Sequence, residues 1–126
     1  TALEAVWAQV GKDESGFFVI GASIGANTAR MVSELLPSVS KVALLSPGED
    51  YRGLQPAEAL KKFKGDILIF ACEDDKYSAA SSRKLAAMNE EHCTLHIFEG
   101  SDHGTDIINN RRLEAMRILV DWLCAP

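Results

Sequence analysis

The stretch that most constrains the fold runs from Phe17 to Asn27, FFVIGASIGAN, where an apolar run stops at Gly-Ala-Ser-Ile-Gly and a helix-like pattern follows. An apolar run of this length is typical of a strand that is buried on both faces. A serine between a strand and a helix lies in a cramped backbone conformation, and glycines two residues before and after it let the two elements close. The sequence therefore predicts a strand, a tight turn that presents Ser23, and a helix.

The composition predicts a single globular domain over residues 1–126 and excludes several classes of function. Apolar residues make up 47% of the chain and charged residues 25%, an ordinary globular balance. The net charge of −5 opposes binding to a phosphate backbone, so we expect no nucleic-acid partner. No apolar run is long enough to predict a membrane span, and no group of His, Cys, Asp and Glu has the spacing of a metal site.

The cysteines indicate a reducing compartment. Cys72, Cys93 and Cys124 contain no Cys-x-x-Cys pair, and an odd number cannot all be bridged within the chain. Two of them lie in apolar strand-like runs, where small buried side chains are expected. We therefore expect a cytoplasmic protein. Because the chain begins at Thr1 rather than Met, we also expect that it has been processed or cut from something longer.

Hydrophobic periodicity predicts strands that alternate with helices. The apolar runs predict four strands, at residues 17–22, 41–45, 67–72 and 94–98. Helical spacing and end signals predict helices at residues 1–12, 24–36, 56–63, 81–88 and 111–123. This alternation is typical of the α/β class, with a parallel sheet of about four strands and helices on both faces. Ligand sites in such sheets lie beyond the carboxyl ends of the strands.

Three candidate residues fall beyond the ends of predicted strands. Ser23 follows the first strand, an aspartate follows the third, and His103 follows the fourth. A serine hydroxyl is a poor nucleophile at neutral pH and needs a base, which works best when a carboxylate fixes its tautomer. One such residue per strand end is the arrangement that lets all three meet above a parallel sheet.

These motifs together resemble the C-terminal half of an α/β-hydrolase of the compact esterase or dienelactone-hydrolase type. Residues 21–27, GASIGAN, resemble the family's nucleophile elbow, and residues 66–78, DILIFACEDDKYS, resemble its acid-bearing strand and loop. Residues 98–104, FEGSDHG, resemble its histidine loop. The resemblance covers nearly the whole chain and implies Ser23 as the nucleophile. It also implies His103 as the general base and then acid, and the backbone N–H of Ile24 as one oxyanion donor.

The resemblance leaves two candidates for the carboxylate that orients the histidine. The family's spacing fits the segment that begins at Cys72 and then selects Asp75, which we prefer. If the pattern begins at Ala71 instead, it selects Asp74. Asp102 lies too near His103 in sequence to be our choice.

Two parts of the complete family fold have no counterpart in this sequence. These are the strands before the elbow and the loop that supplies the second oxyanion donor, whose loss typically lowers turnover ~10²–10³-fold. We therefore expect the isolated chain to be weak or inactive. The first strand would also form an exposed apolar edge, which folded proteins usually cover. We expect a homodimer, or pairing with a missing N-terminal segment, along this edge.

The sequence thus predicts a serine hydrolase that cleaves small-molecule carboxylic esters through an acyl-enzyme on Ser23, without a cofactor. The loop after the second strand is only about ten residues long, which favours an open site for short acyl chains. Thioesterase, amidase and lactonase activities remain open, as does a non-catalytic module that serves binding or assembly. A lesser alternative is a dinucleotide-binding turn at Gly21 and Gly25, although its third glycine and its ribose-binding acidic residue are missing.

Overall fold

The computed structural model describes residues 17–27, 29, 39–53 and 55–126. Within these residues the strands are β1 (Phe17–Ala22), β2 (Val39–Leu45), β3 (Asp66–Cys72) and β4 (Cys93–Phe98). The helices are α1 (Ala57–Lys62), α2 (Lys76–Ala87), α3 (Asp106–Asn110) and α4 (Arg112–Cys124). Residues 24–27 and 29, directly after β1, are also helical.

The four strands form one parallel sheet in the order β1-β2-β3-β4. Their last residues are in register, since Ala22 pairs with Leu45, Leu45 with Phe70, and Cys72 with Phe98. The segments that follow the strands therefore leave the sheet along the same edge. This arrangement confirms the predicted fold class and brings three distant parts of the chain together.

The central strands β2 and β3 are buried on both faces because their side chains alternate between two apolar layers. Along β3, Leu68 and Phe70 pack in a cluster with Ile107 of α3 and Leu119 of α4. The cluster on the opposite face joins the helical segment after β1 with β2, α1, β3 and α2, and its buried residues are Ala26, Val39, Val42, Leu44, Leu60, Ile67, Ile69 and Leu85. Burial on both faces explains why β3 reads as a continuous apolar run.

Most predicted elements agree with the structure to within two residues. β1 has the predicted bounds, and β2, β3 and β4 each begin one or two residues earlier than predicted. The predicted helix at residues 1–12 and residues 30–36 of the next one lie outside the described residues. No helix in the described ranges is long and apolar enough to cross a membrane.

Two helical elements differ from the prediction. The helix predicted at residues 81–88 is α2, which begins five residues earlier, at Lys76. The residues before Ser78 read as an acidic loop, which hid the first turn of the helix, and Ser78, Ser81 and Ser82 are all buried in the structure. Two of these buried serines have hydrogen-bond partners. Ser78 Oγ pairs with the Tyr51 hydroxyl, and Ser81 Oγ accepts a hydrogen bond from the Glu49 N–H. The short helix α3 was not predicted.

Candidate active site

Ser23 occupies the tight turn between β1 and the helical segment that follows. Its φ of 56° lies in the left-handed region, a strained conformation for a residue with a side chain. Both of its backbone groups are engaged, since its N–H donates to the Leu45 carbonyl at 2.8 Å and its carbonyl accepts from the Ala26 N–H at 2.9 Å. The turn therefore holds the Ser23 side chain in a defined position at the carboxyl edge of the sheet.

The two glycines around Ser23 differ in their importance for this turn. A Cβ on Gly21 would lie 2.3 Å from the Gly25 carbonyl oxygen and 2.8 Å from the Ala29 Cβ, so only glycine fits there. A Cβ on Gly25 would meet no described atom within 4 Å. Among the described residues, the close packing of strand and helix requires Gly21, and no comparable contact is present at Gly25.

The structure brings the three predicted side chains into one hydrogen-bonded line. His103 Nε2 lies 2.8 Å from Ser23 Oγ, and His103 Nδ1 lies 2.5 Å from Asp75 Oδ2. These residues follow β1, β3 and β4, whose ends the sheet register aligns. In this geometry Nδ1–H can donate to the carboxylate while Nε2 accepts the serine proton. The His103 side chain is 42% exposed and that of Asp75 only 18%.

Of the two aspartates that the sequence left open, Asp75 contacts His103. It occupies the residue before α2, where an aspartate commonly caps the helix, yet its side chain makes no capping hydrogen bond. Its carboxylate is instead turned to the imidazole. Asp74 is largely exposed and lies 3.6 Å from the Lys76 ammonium group. The Asp74 N–H donates to the Gly100 carbonyl at 2.9 Å, which joins the two loops.

The loop that carries His103 is held on both sides of that residue. Asp102 accepts a hydrogen bond from the Asn110 side-chain amide at 2.8 Å and lies 3.6 Å from Arg111 Nε. Gly104, with φ +62°, donates its N–H to the buried Ser46 Oγ at 2.8 Å. Asp102 thus faces the start of α4 rather than the imidazole, in agreement with its exclusion as the orienting residue.

Sequence reasoning missed three residues that build the surroundings of this site. Ser46, directly after β2, is buried with a φ of 55°, and its N–H donates to the Phe70 carbonyl at 2.7 Å. Asn27 is also buried, and its amide bonds both backbone groups of Gly48. Tyr51 lies on the same loop. Ser46 could have been found, because it is the first residue beyond a strand at the carboxyl edge of the sheet.

Tyr51 lies against the histidine and the serine. Its ring meets the His103 ring edge to face, with centroids 6.5 Å apart. Its hydroxyl lies 2.9 Å from Ser78 Oγ, and the nearby Ser23 hydroxyl slightly lowers the pKa of the phenol. Burial raises the pKa of the phenol, the hydrogen bond with Ser78 opposes this effect, and the negative charge of Asp75 raises the pKa further.

Cys72 and Cys93 do not supply a competing nucleophile. All three are free, with Cys72 buried and Cys124 exposed. Burial raises the pKa of the Cys93 thiol to about 11, so it carries its proton at neutral pH. Within the described ranges, no group of three or more His, Cys, Asp and Glu is placed to hold a metal ion.

The sequence matches no protein-family model and no curated protein, but solved structures match it closely in shape. A predicted CIB-like hydrolase from Thermoplasma acidophilum superposes with a TM-score of 0.78 at 23% identity, covering 97% of this chain and 56% of that one. An esterase of Pyrococcus furiosus gives 0.80 at 11%, covering 96% and 57%. The fold is that of the α/β-hydrolases. A lipase-esterase related protein from Clostridium acetobutylicum gives 0.70 at 17%, covering 87% and 68%.

The likeness to these α/β-hydrolases concerns the fold alone, because the identities are low. This chain spans little more than half the length of the first two structures. The part of the α/β-hydrolase fold that it shares with them includes the turn at Ser23 and the strand ends that carry Asp75 and His103. Any activity of the chain is therefore inferred from the site itself.

Proposed function

We propose that the chain belongs to a serine hydrolase that cleaves carboxylic esters through an acyl-enzyme on Ser23. The observation that carries this proposal is the continuous line from Ser23 Oγ through His103 to Asp75, with distances of 2.8 and 2.5 Å. The line lies at the carboxyl edge of the sheet, where α/β proteins bind their ligands. Esterases and other hydrolases among the structures of the same fold support it.

In the first half of the proposed reaction, Ser23 Oγ forms a bond to the ester carbonyl carbon while its proton passes to His103 Nε2. Asp75 stabilises the imidazolium that results, because its carboxylate accepts the Nδ1–H hydrogen bond. The bond between the carbonyl carbon and the alcohol oxygen then breaks. His103 gives its proton to that oxygen, and the alcohol leaves.

In the second half, a water molecule attacks the acyl carbon and gives a proton to His103 Nε2. The bond to Ser23 Oγ breaks, the serine recovers its proton from the imidazolium, and the carboxylic acid leaves. The site thus returns to its starting state without a cofactor.

The negative charge that develops on the carbonyl oxygen needs hydrogen-bond donors. We assign one of them to the backbone N–H of Ile24, the first residue of the helical turn after Ser23. The first N–H groups of a helix point out of its N-terminal end, towards the place where this oxygen would lie. A single donor of this kind typically accounts for ~10²–10³ in turnover.

The surroundings of the site favour small substrates. The segment between β2 and α1 is short, and nearly half of the His103 side chain is open to solvent. We therefore propose short-chain acyl esters as substrates.

We place the protein in a reducing, cytoplasmic setting because its three cysteines are free. The dinucleotide alternative gains no support, since the described strands follow one another in order with no topological switch point.

The proposal is tested by exposing the purified chain to a fluorophosphonate and weighing it intact, with Ser23→Ala as the control. A single adduct that is lost in the variant would support an activated Ser23. If a sample that circular dichroism shows to be folded gives no adduct, the serine hydrolase proposal fails. A non-catalytic module with the same fold would then be the better explanation, in keeping with the fraction of the related structures that the chain spans.

A further inference from the structure

We infer that Tyr51 is a catalytic residue of the proposed hydrolysis, in which its phenolic O–H donates a hydrogen bond to the oxyanion of the tetrahedral intermediate. This inference rests on the proposed function and assigns a role to a residue outside the Ser23, His103 and Asp75 line. Tyr51 would act beside the backbone N–H of Ile24, as a second donor.

Tyr51 lies beside the residues that react. Its ring stands edge to face with the His103 ring at 6.5 Å, and the phenol is close enough to Ser23 for the serine hydroxyl to lower its pKa. In the tetrahedral intermediate, a single carbon atom separates Ser23 Oγ from the oxyanion. A donor that lies beside Oγ is therefore also beside the oxyanion once the bond has formed.

The hydrogen bonds around Tyr51 leave its proton available for this role. Its hydroxyl lies 2.9 Å from Ser78 Oγ, and either oxygen can be the donor. When Ser78 donates, the phenol can donate to the Ser46 carbonyl, but at 3.4 Å this is a long distance for an O–H donor. The phenol proton can then turn to a stronger acceptor, and the developing oxyanion is one.

The loop that carries Tyr51 is braced from two directions. The Asn27 side chain bonds the Gly48 carbonyl at 2.9 Å and the Gly48 N–H at 3.1 Å. The Tyr77 hydroxyl bonds both the N–H and the carbonyl of Asp50, each at 2.8 Å. A donor that is already fixed in place stabilises charge without reorganisation during the reaction, which is the requirement for an oxyanion site.

The packing of the Tyr51 ring depends on a glycine. A Cβ on Gly48 would lie 2.8 and 2.9 Å from atoms of the Tyr51 ring and 2.7 Å from the Tyr77 ring, so both rings rest directly on the backbone at this residue. The two tyrosine rings also meet edge to face, with centroids 5.5 Å apart.

Because burial raises the pKa of the Tyr51 phenol above its ordinary value near 10, the donor keeps its proton through neutral pH.

The inference is tested with Tyr51→Phe, measured by hydrolysis of p-nitrophenyl acetate and by the rate of fluorophosphonate labelling. We expect kcat and the labelling rate to fall ~10²-fold, as for loss of one oxyanion donor, with KM changed less than ~3-fold. Tyr77→Phe makes the same chemical change on the neighbouring ring, which braces the loop, and we expect a smaller loss from it. Thermal unfolding of each variant reports whether the fold is kept.

A second measurement distinguishes donation from a merely structural role. Fluorotyrosine at residue 51 keeps the shape of the ring but lowers the pKa of the phenol. If the phenol must be protonated to donate, the alkaline limb of the kcat profile moves to lower pH with each added fluorine. This variant also keeps the test decisive if Tyr51→Phe fails to fold.

Two results would overturn the inference while leaving the proposed function intact. In one, the parent chain labels at Ser23 and folded Tyr51→Phe labels at the same rate. In the other, the alkaline limb stays in place in the fluorotyrosine series. If the parent chain does not label at Ser23 at all, the proposed function fails and this inference fails with it.

Discussion

At the scale of single residues, several residues at the site adopt conformations that are locally unfavourable. Asp75 occupies a helix-capping position without capping, which typically forfeits about 1 kcal/mol of helix stability. Its carboxylate faces His103 instead. Ser23 and Ser46 both adopt left-handed backbone conformations without being glycine. Such unfavourable conformations often occur at functional sites, where the surrounding structure holds them in place.

The two neighbouring aspartates give a matched test of the orienting carboxylate. We expect Asp75→Asn to lower kcat ~10³–10⁴-fold, because an amide would no longer hold the imidazole in the required tautomer. Asp74→Asn removes a charge of the same size from an exposed side chain paired with Lys76, so we expect a change under ~3-fold. Steady-state hydrolysis of p-nitrophenyl acetate measures both. A loss confined to Asp74→Asn would contradict the assignment of Asp75.

At the scale of elements, the turn after β1 determines how closely the strand and the following helical segment approach each other. Gly21 permits this contact, and the backbone of Ser23 joins the turn to the end of β2. The loops after β3 and β4 are joined in turn by the hydrogen bond between Asp74 and Gly100. Four strand ends are therefore coupled into one rigid edge.

At this scale, the two glycines of the turn lead to a prediction about stability. Gly21→Ala would place a methyl group against the Gly25 backbone, where neither side can yield easily, and we expect a loss of about 1–3 kcal/mol in unfolding free energy. Gly25→Ala meets open space among the described atoms and replaces glycine in a helical segment, so we expect stability to stay level or rise by up to about 1 kcal/mol. Urea denaturation measures both variants. Equal losses would contradict the packing difference.

At the scale of the whole molecule, β1 is an apolar edge strand of the part of the sheet that the structure describes. Among the described residues β1 pairs only with β2, and the Phe18 and Ile20 side chains are 57% and 44% exposed. A strand with free backbone groups and apolar side chains is a template for another strand. We propose that a second copy of the chain, or a segment N-terminal to it, pairs along β1.

Substitutions on the two edge strands, β1 and β4, test this pairing. We expect the isolated chain to self-associate at micromolar concentration, and Ile20→Lys to shift it towards monomer, because a charge at the edge opposes strand addition. Thr94→Lys places the same charge at an exposed residue of β4, the other edge strand, and should leave the association unchanged. Sedimentation velocity measures the three chains. A parent chain that stays monomeric would rule out pairing between copies.

The sequence by itself determined the strand positions, the α/β class and the order of Ser23, an aspartate and His103 along the chain. Apolar runs and turn residues are local signals, and parallel strands bring their ends to one edge wherever they lie in the sequence. That is why four strands could be placed to within two residues.

Only the tertiary structure decided which aspartate faces His103, where α2 begins, and which residues surround Ser23. Asp74 and Asp75 are adjacent and chemically identical, so their difference arises from the loop geometry that points one carboxylate at the imidazole. The first turn of α2 follows an acidic stretch that reads as a loop, and the partner that Ser78 finds in Tyr51 is distant in sequence. Tyr51 lies against His103 because separate loops meet above the sheet, and no local pattern of residues predicts such a contact.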